Sequence, residues 1–254
     1  MRIVSLAPSA TSILCAVGAK SALVGVTRWC RDVAPVGFLP RVGDCWSGDV
    51  SEIVALRPSL VIGSVPYKPE MVARLLAQPF SFLAMNPRTL RDVEQDILML
   101  GGLVGRGAAA ERVILRMRKE FDAIAKKARR GGRRVRVYCE AWPNPRISSP
   151  PWVAELVEIA GGEMVAPPGQ RVSEEEVAAA RPEVIVLAWA ATGKKANPQK
   201  AFEVAAWRDL PAIRTRSVHV ISDELLNTPG PPLVRGARDL VRILSRHGGR
   251  GAER

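Results

Sequence analysis

Histidine, tyrosine and cysteine are scarce in this 254-residue chain, with two, two and four copies. Neither His219 nor His247 has a sequence neighbour that would complete a catalytic triad, and there is no H-E-x-x-H. Cys15, Cys30, Cys45 and Cys139 never fall at C-x-x-C spacing, which excludes the common zinc and dithiol motifs. Cys15 in a helical pattern and Cys139 in an apolar strand read as buried thiols. Cys30 and Cys45 fall in loops, and a disulfide between them stays open. A Walker loop, a strand-borne G-x-G-x-x-G and a G-x-S-x-G are also missing. No catalytic residue and no metal ligand is assigned. The longest apolar run, residues 97–104, is far below the roughly 18 to 20 residues of a membrane helix. Membrane insertion is excluded. The chain enters a strand at its second residue, with no n-region, h-region or cleavage site. That leaves a cytoplasmic protein, or a mature domain whose export signal lies outside this sequence.

What is present is ordinary globular material: 47% hydrophobic and 24% charged residues. Thirty-seven Lys and Arg against 25 Asp and Glu leave a net charge of +12. The excess is mostly Arg spread over helices, with one dense cluster at Lys126, Lys127, Arg129, Arg130, Arg133, Arg134 and Arg136. No aromatic interleaves that run and no nucleic-acid motif accompanies it. It reads as a solvated helix terminus, where cations favour the dipole, and nucleic acid is not an expected partner.

Strands are predicted at residues 3–6, 23–27, 59–63 and 80–85, and helices at 8–17, 51–56, 69–77 and 89–100. Alternation of this kind implies βαβ units and a parallel sheet. The run Gly101-Gly102-Leu103-Val104-Gly105 reads as the stop of the last of these helices. A long amphipathic helix follows at about 107–130, ending at Gly131-Gly132. At 1.5 Å per residue it is about 35 Å long. The alternation then restarts, with strands at 135–139, 184–188 and 218–222 and helices at 152–160, 174–180 and 233–246. Residues 52–62 echo residues 176–186: each is a short helix ending at Arg-Pro and feeding a buried strand. The expected architecture is α/β, two Rossmann-like lobes with parallel sheets bridged by one long helix. Its bounds are 1–104, 105–132 and 133–254.

Aromatics make up only 5% of the chain, yet six of them are Trp. Trp29, Trp46, Trp142 and Trp189, with Tyr67, lie at or beyond the carboxyl ends of predicted strands, where parallel sheets bind ligands. Large flat side chains gathered there suit a broad, partly apolar ligand. Trp152 and Trp207 fall in helical patterns and read as core. The candidate ligand-binding set is Pro8, Ser9, Trp29, Trp46, Tyr67, Trp142, Trp189 and Asp223.

The segment Ile3-Val4-Ser5-Leu6-Ala7-Pro8-Ser9-Ala10-Thr11-Ser12, with Leu23-Val24-Gly25-Val26-Thr27, resembles the opening of the helical-backbone (class III) substrate-binding proteins of ABC importers. These serve cobalamin, iron–siderophore complexes and heme. Residues 52–62, 156–163, 172–177 and 218–221 extend the resemblance over about 2–246. It implies two lobes holding a ligand between them with little closure, no catalysis, no cofactor of its own, and a monomer. Cys139-Glu140-Ala141-Trp142-Pro143-Asn144-Pro145 and the Trp46 loop are similar to the cobalamin-binding branch, which implies cobalamin as the bound ligand. Arg146 and Arg235 keep an anionic iron–siderophore complex or heme as the alternative, and a cytoplasmic corrinoid-handling protein on the same fold is a further one. The resemblance also implies an ABC permease as partner, docked through one glutamate per lobe, and a periplasmic or cell-surface location. Glu175 matches the second-lobe position. At the first-lobe position stands Ser51, with Glu52 one residue later.

Overall fold

The computed structural model describes residues 1–46, 48–129, 132–190, 192 and 196–247. Ser47 of the Trp46 loop, Arg130 of the basic cluster, Gly131 of the expected helix stop and residues 248–254 lie outside them. Two compact units are present: Met1–Arg116 with Pro229–Pro231, and Met117–Thr228 with the chain from Pro232 onward.

In the first unit, β1 (Ile3–Ser5), β2 (Leu23–Thr27), β3 (Arg41–Val42), β4 (Leu60–Ser64) and β5 (Ser81–Met85) form one sheet in the order β3-β2-β1-β4-β5. Every pairing in it is parallel. Helices α1 (Pro8–Ala16), α2 (Val50–Ala55), α3 (Pro69–Leu76) and α4 (Leu90–Leu103) complete the unit. β1 and β4 are buried along their whole length, as central strands covered on both faces must be. Their apolar runs pack with Ile53 and Val50 of α2 and with Met71 and Leu75 of α3. Helix α4 does not stop at Gly101 as the glycines suggest; it continues to Leu103, and Gly105 at φ +68 ends it. Gly101 has a packing reason instead. A Cβ there would press on Ala110, so the glycine lets helix α5 (Gly107–Ala128) start close beside α4.

The second unit repeats the theme with a mixed sheet. β6 (Val135–Pro143) pairs in parallel with β9 (Val184–Leu187), which pairs in parallel with β10 (Val218–Val220). β8 (Gly162–Met164) lies parallel to the start of β6, and β7 (Arg146–Ser148) folds back antiparallel on its end. β3, β7 and β8 are absent from the expected set; at two or three residues they are too short to show a period in sequence. Helices α6 (Pro151–Ile159), α7 (Glu174–Ala180), α8 (Gln199–Phe202), α9 (Pro211–Arg214), α10 (Asp223–Leu226) and α11 (Leu233–Leu244) surround the sheet. Among the described residues no helix is long and apolar enough to cross a membrane.

The internal echo has a structural counterpart. Asp49 and Ser173, at matching positions, cap α2 and α7 by accepting backbone N–H groups. Arg57 and Arg181 both take left-handed conformations with φ 46, and each helix ends there. Arg2 donates to the carbonyls of Leu56 and Arg57; Arg136 donates to the carbonyl of Ala180. Arg2 precedes Ile3, which pairs with Leu60, and Arg136 precedes Val137, which pairs with Val184. Both units therefore close their helix-to-strand joint with an arginine from the central strand on orphan carbonyls. Much of the basic cluster is spent on this second joint, since Arg133 also pairs with Glu183.

Candidate functional site

In the first unit, four loops leave the carboxyl edge of the parallel sheet carrying Pro8 and Ser9, Trp29, Trp46 and Tyr67. Pro8 opens α1, where its missing N–H costs nothing. Ser9 is buried, and its carbonyl accepts from Ser12 Oγ. Cys30, one residue after Trp29, is buried, and its sulfur lies 3.0 Å from Thr11 Oγ1 and 3.3 Å from Thr27 Oγ1. These bonds tie the Trp29 segment to α1. Cys45 is buried elsewhere, under β4 against Gly63. All four cysteines are free, so the Cys30–Cys45 disulfide does not form. Cys15 is half-buried rather than enclosed.

Trp46 is 58% exposed, and Trp29 is half-buried with the Arg28 guanidinium 4.1 Å from its ring centre. Tyr67 is not an open wall residue. Its ring meets Phe82 edge-on and its hydroxyl donates to the Met85 carbonyl at 2.9 Å. Burial raises its pKa, with nearby Cys45 adding to the effect. Asp96 of α4 also acts electrostatically on Tyr67, and its own carboxyl is pushed up to about 6 by burial and by Asp92. Glu52 is exposed, but its Oε2 accepts the Gly43 N–H at 3.2 Å, which turns the carboxylate toward its own loop.

The second unit holds the denser chemistry. Tyr138 and Glu140 alternate onto one face of β6, and Glu140 has no exposed surface. Its Oε2 accepts from the Tyr138 hydroxyl at 2.9 Å and from Arg146 Nη1 at 2.8 Å; its Oε1 accepts from Trp189 Nε1 at 2.8 Å. Arg146 reaches on to Glu174 Oε1 at 3.0 Å and stacks 4.4 Å over Trp207. Burial disfavours the Arg146 charge, but Glu140 and Glu174 outweigh it and hold the guanidinium protonated more firmly than usual. Trp207 in turn donates to the Glu174 carbonyl at 3.0 Å and meets Tyr138 edge-on.

This network walls a cavity of about 420 Å³ that also meets Pro143, Leu187 and the Lys200–Glu203 pair on and beside α8. The volume lies within the range of small-ligand pockets. Trp189, expected as an open platform, is 9% exposed: its ring packs in the core and its indole N–H is committed to Glu140. Trp207 is core as expected, yet it too borders the cavity.

Trp142 does not follow β6 but lies within it. A bulge between Glu140 and Trp142 shifts the register against β7, so Pro143, not Trp142, shares the cavity with Glu140. Trp142 stays 41% exposed, its Nε1 donating to the Asn144 carbonyl. Main-chain bonds from Ala188 to Glu140 and from Ala190 to Ala141 bring the Trp189 segment beside it. Asp223 opens α10, and Asn227, at the end of that helix, donates to the Ala188 carbonyl at 2.6 Å. Glu175 is exposed in the first turn of α7, its carboxyl lowered by its own backbone N–H and by Ser173.

Residues 3–225 match the model of the periplasmic binding protein family. The chain belongs to this family. Its members are binding proteins of transport systems, not enzymes. The chain is 26% identical over 239 residues to the vitamin B12-binding protein of Vibrio parahaemolyticus, covering 91% of this chain and 84% of that one. It is also 26% identical over 257 residues to an ABC transporter substrate-binding lipoprotein of Bacillus subtilis, covering 96% and 79%. The heme-binding protein RhuT of Roseiflexus superposes with TM-score 0.81 at 24% identity, covering 97% and 98%. The vitamin B12-binding protein BtuF of Vibrio cholerae does so with 0.78 at 21%, covering 98% of both chains. These likenesses establish the binding-protein fold of two α/β units with parallel strand pairing.

Sequence reasoning passed over the role of Glu140 and read Arg146 only as a cation for an anionic ligand. The available signal was a glutamate two residues after a tyrosine in an otherwise apolar strand, because a carboxylate on a buried face demands donors. Arg146→Met strands Glu140 without its cation and should cost about 3–5 kcal/mol, read as a lowered midpoint in chemical denaturation. Adding Glu140→Leu should recover part of that loss. A different pH response is expected at Asp96. With its folded pKa near 6 and the ordinary value at 3.8, ionisation penalises the fold above pH 6, and the penalty fades as pH falls toward 4. Asp96→Asn should therefore raise the thermal midpoint at pH 7.5 and leave it unchanged at pH 4, by differential scanning calorimetry.

Proposed function

We propose that this periplasmic-binding-protein family member captures a corrinoid for delivery to an ABC permease. The observation that carries the reading is the set of tryptophans at strand carboxyl ends. Trp46 and Trp142 expose large apolar rings, and Trp189 and Trp207 wall a cavity of the size a ligand substituent needs. The relatives whose names specify vitamin B12 support the same choice. Heme is the second reading, favoured by the fold likeness to heme-binding proteins. It requires an axial ligand for iron. Both tyrosine hydroxyls already donate to protein acceptors, so neither stands open to iron. That favours the corrinoid.

The purified protein incubated with cyanocobalamin and passed through gel filtration should carry the corrin absorption bands at a 1:1 ratio. Protein that emerges colourless with cyanocobalamin but retains heme or a ferric siderophore would overturn the assignment. Trp142→Ala should weaken corrinoid binding by about 1–3 kcal/mol in calorimetry without moving the thermal midpoint.

Docking on the permease is assigned to Glu175, with Glu52 as the weaker counterpart because its carboxylate already serves Gly43. Exposed charges of this kind govern association rate more than residence time. Glu175→Ala should slow association with permease in nanodiscs and flatten its salt dependence while corrinoid affinity holds. Glu52→Ala should have a smaller effect.

A further inference from the structure

We infer that the cavity beside Glu140 selects an uncharged carboxamide arm of its ligand and rejects a carboxylate. The inference rests on the corrinoid reading and deepens it. Among the described residues three carboxylates border the cavity, Glu140, Glu174 and Glu203, against two cations, Arg146 and Lys200. Both cations are already engaged. Arg146 spends its charge on Glu140 and Glu174, and Lys200 on Glu203 at 3.0 Å. An entering carboxylate therefore meets a net negative charge on the described lining, with the charge of both cations already shared with protein carboxylates.

A carboxamide meets different terms. Arg146 carries five N–H groups, of which Nε, one Nη1 hydrogen and one Nη2 hydrogen are committed. An amide oxygen can accept from the remainder. Its NH₂ can donate to Glu174, whose side chain is 44% exposed, or to Glu203, 60% exposed. Glu140, fully enclosed and holding three donors, is closed to the ligand and acts by keeping Arg146 and Trp189 in place. The apolar remainder of the wall, Trp189 and Trp207, suits the methylene stem of such an arm. A corrin ring bears amide arms around its rim, whereas heme bears carboxylates, so the lining discriminates between ligands of similar breadth.

The test measures affinity for cyanocobalamin and for its b-, d- and e-monocarboxylic acids, each with one arm hydrolysed, by calorimetry at pH 8. At least one acid should bind roughly tenfold more weakly than the parent. Glu203→Lys should narrow that gap, read as the ratio of the two affinities, by a factor of three or more. Glu203→Gln should give an intermediate narrowing. All three acids binding as tightly as cyanocobalamin, or a gap that ignores both Glu203 variants, would overturn the inference and leave corrinoid capture standing. Failure to bind any corrinoid would overturn both.

Discussion

A carboxylate taken wholly out of water is among the costliest groups a fold can enclose, and it persists only where donors surround it. Glu140 is in that position, and its neighbours are arranged accordingly. The hydroxyl of Tyr138, the indole N–H of Trp189 and the guanidinium of Arg146 all converge on it. Each of these donors is then held by something else. Trp207 stacks on Arg146 and meets Tyr138, and Glu174 draws the far side of the guanidinium. The hairpin from β6 to β7 and the start of α7 are thereby pinned to the segment after β9. The shape of the cavity follows from that pinning. Low dielectric strengthens every bond within the network, so its members act as one unit.

Helices of eight residues or more were legible from periodicity and breakers, as with α5, α6 and α11, because a full apolar stripe repeats within each. The echo between residues 52–62 and 176–186 was legible too, and it proved to mark one joint built twice, down to the left-handed arginine. Two features were not. Short strands such as β7 leave no period to read. Glycine pairs mislead when their role is close packing: Gly101 looked like a stop and is a contact with α5.

Of the candidate ligand-binding residues, Trp189 borders the described cavity, and its role was not legible. Trp189 was placed correctly after its strand, but its burial depends on Glu140, which lies 49 residues earlier. No local pattern links the two. Trp142 illustrates a subtler limit. Alternation along β6 would set it on the face of Glu140, and only the bulge, a property of the pairing with β7, turns it outward. Side-chain direction in a strand is decided jointly by two strands, and sequence reading follows one at a time.

That bulge makes the outer end of β6 adjustable in steps of a single residue. Removing Ala141 would restore strict alternation while Trp142 stays opposite Ile147 and Pro143 opposite Arg146, so the outward Trp142 and the cavity-facing Pro143 would keep their faces. The core strand before it, paired with β8 and β9, would stay in register. Length variation at this one position is thus absorbed locally, because the pairing with β7 sets which side chain meets the cavity and the buried carboxylate lies before the change.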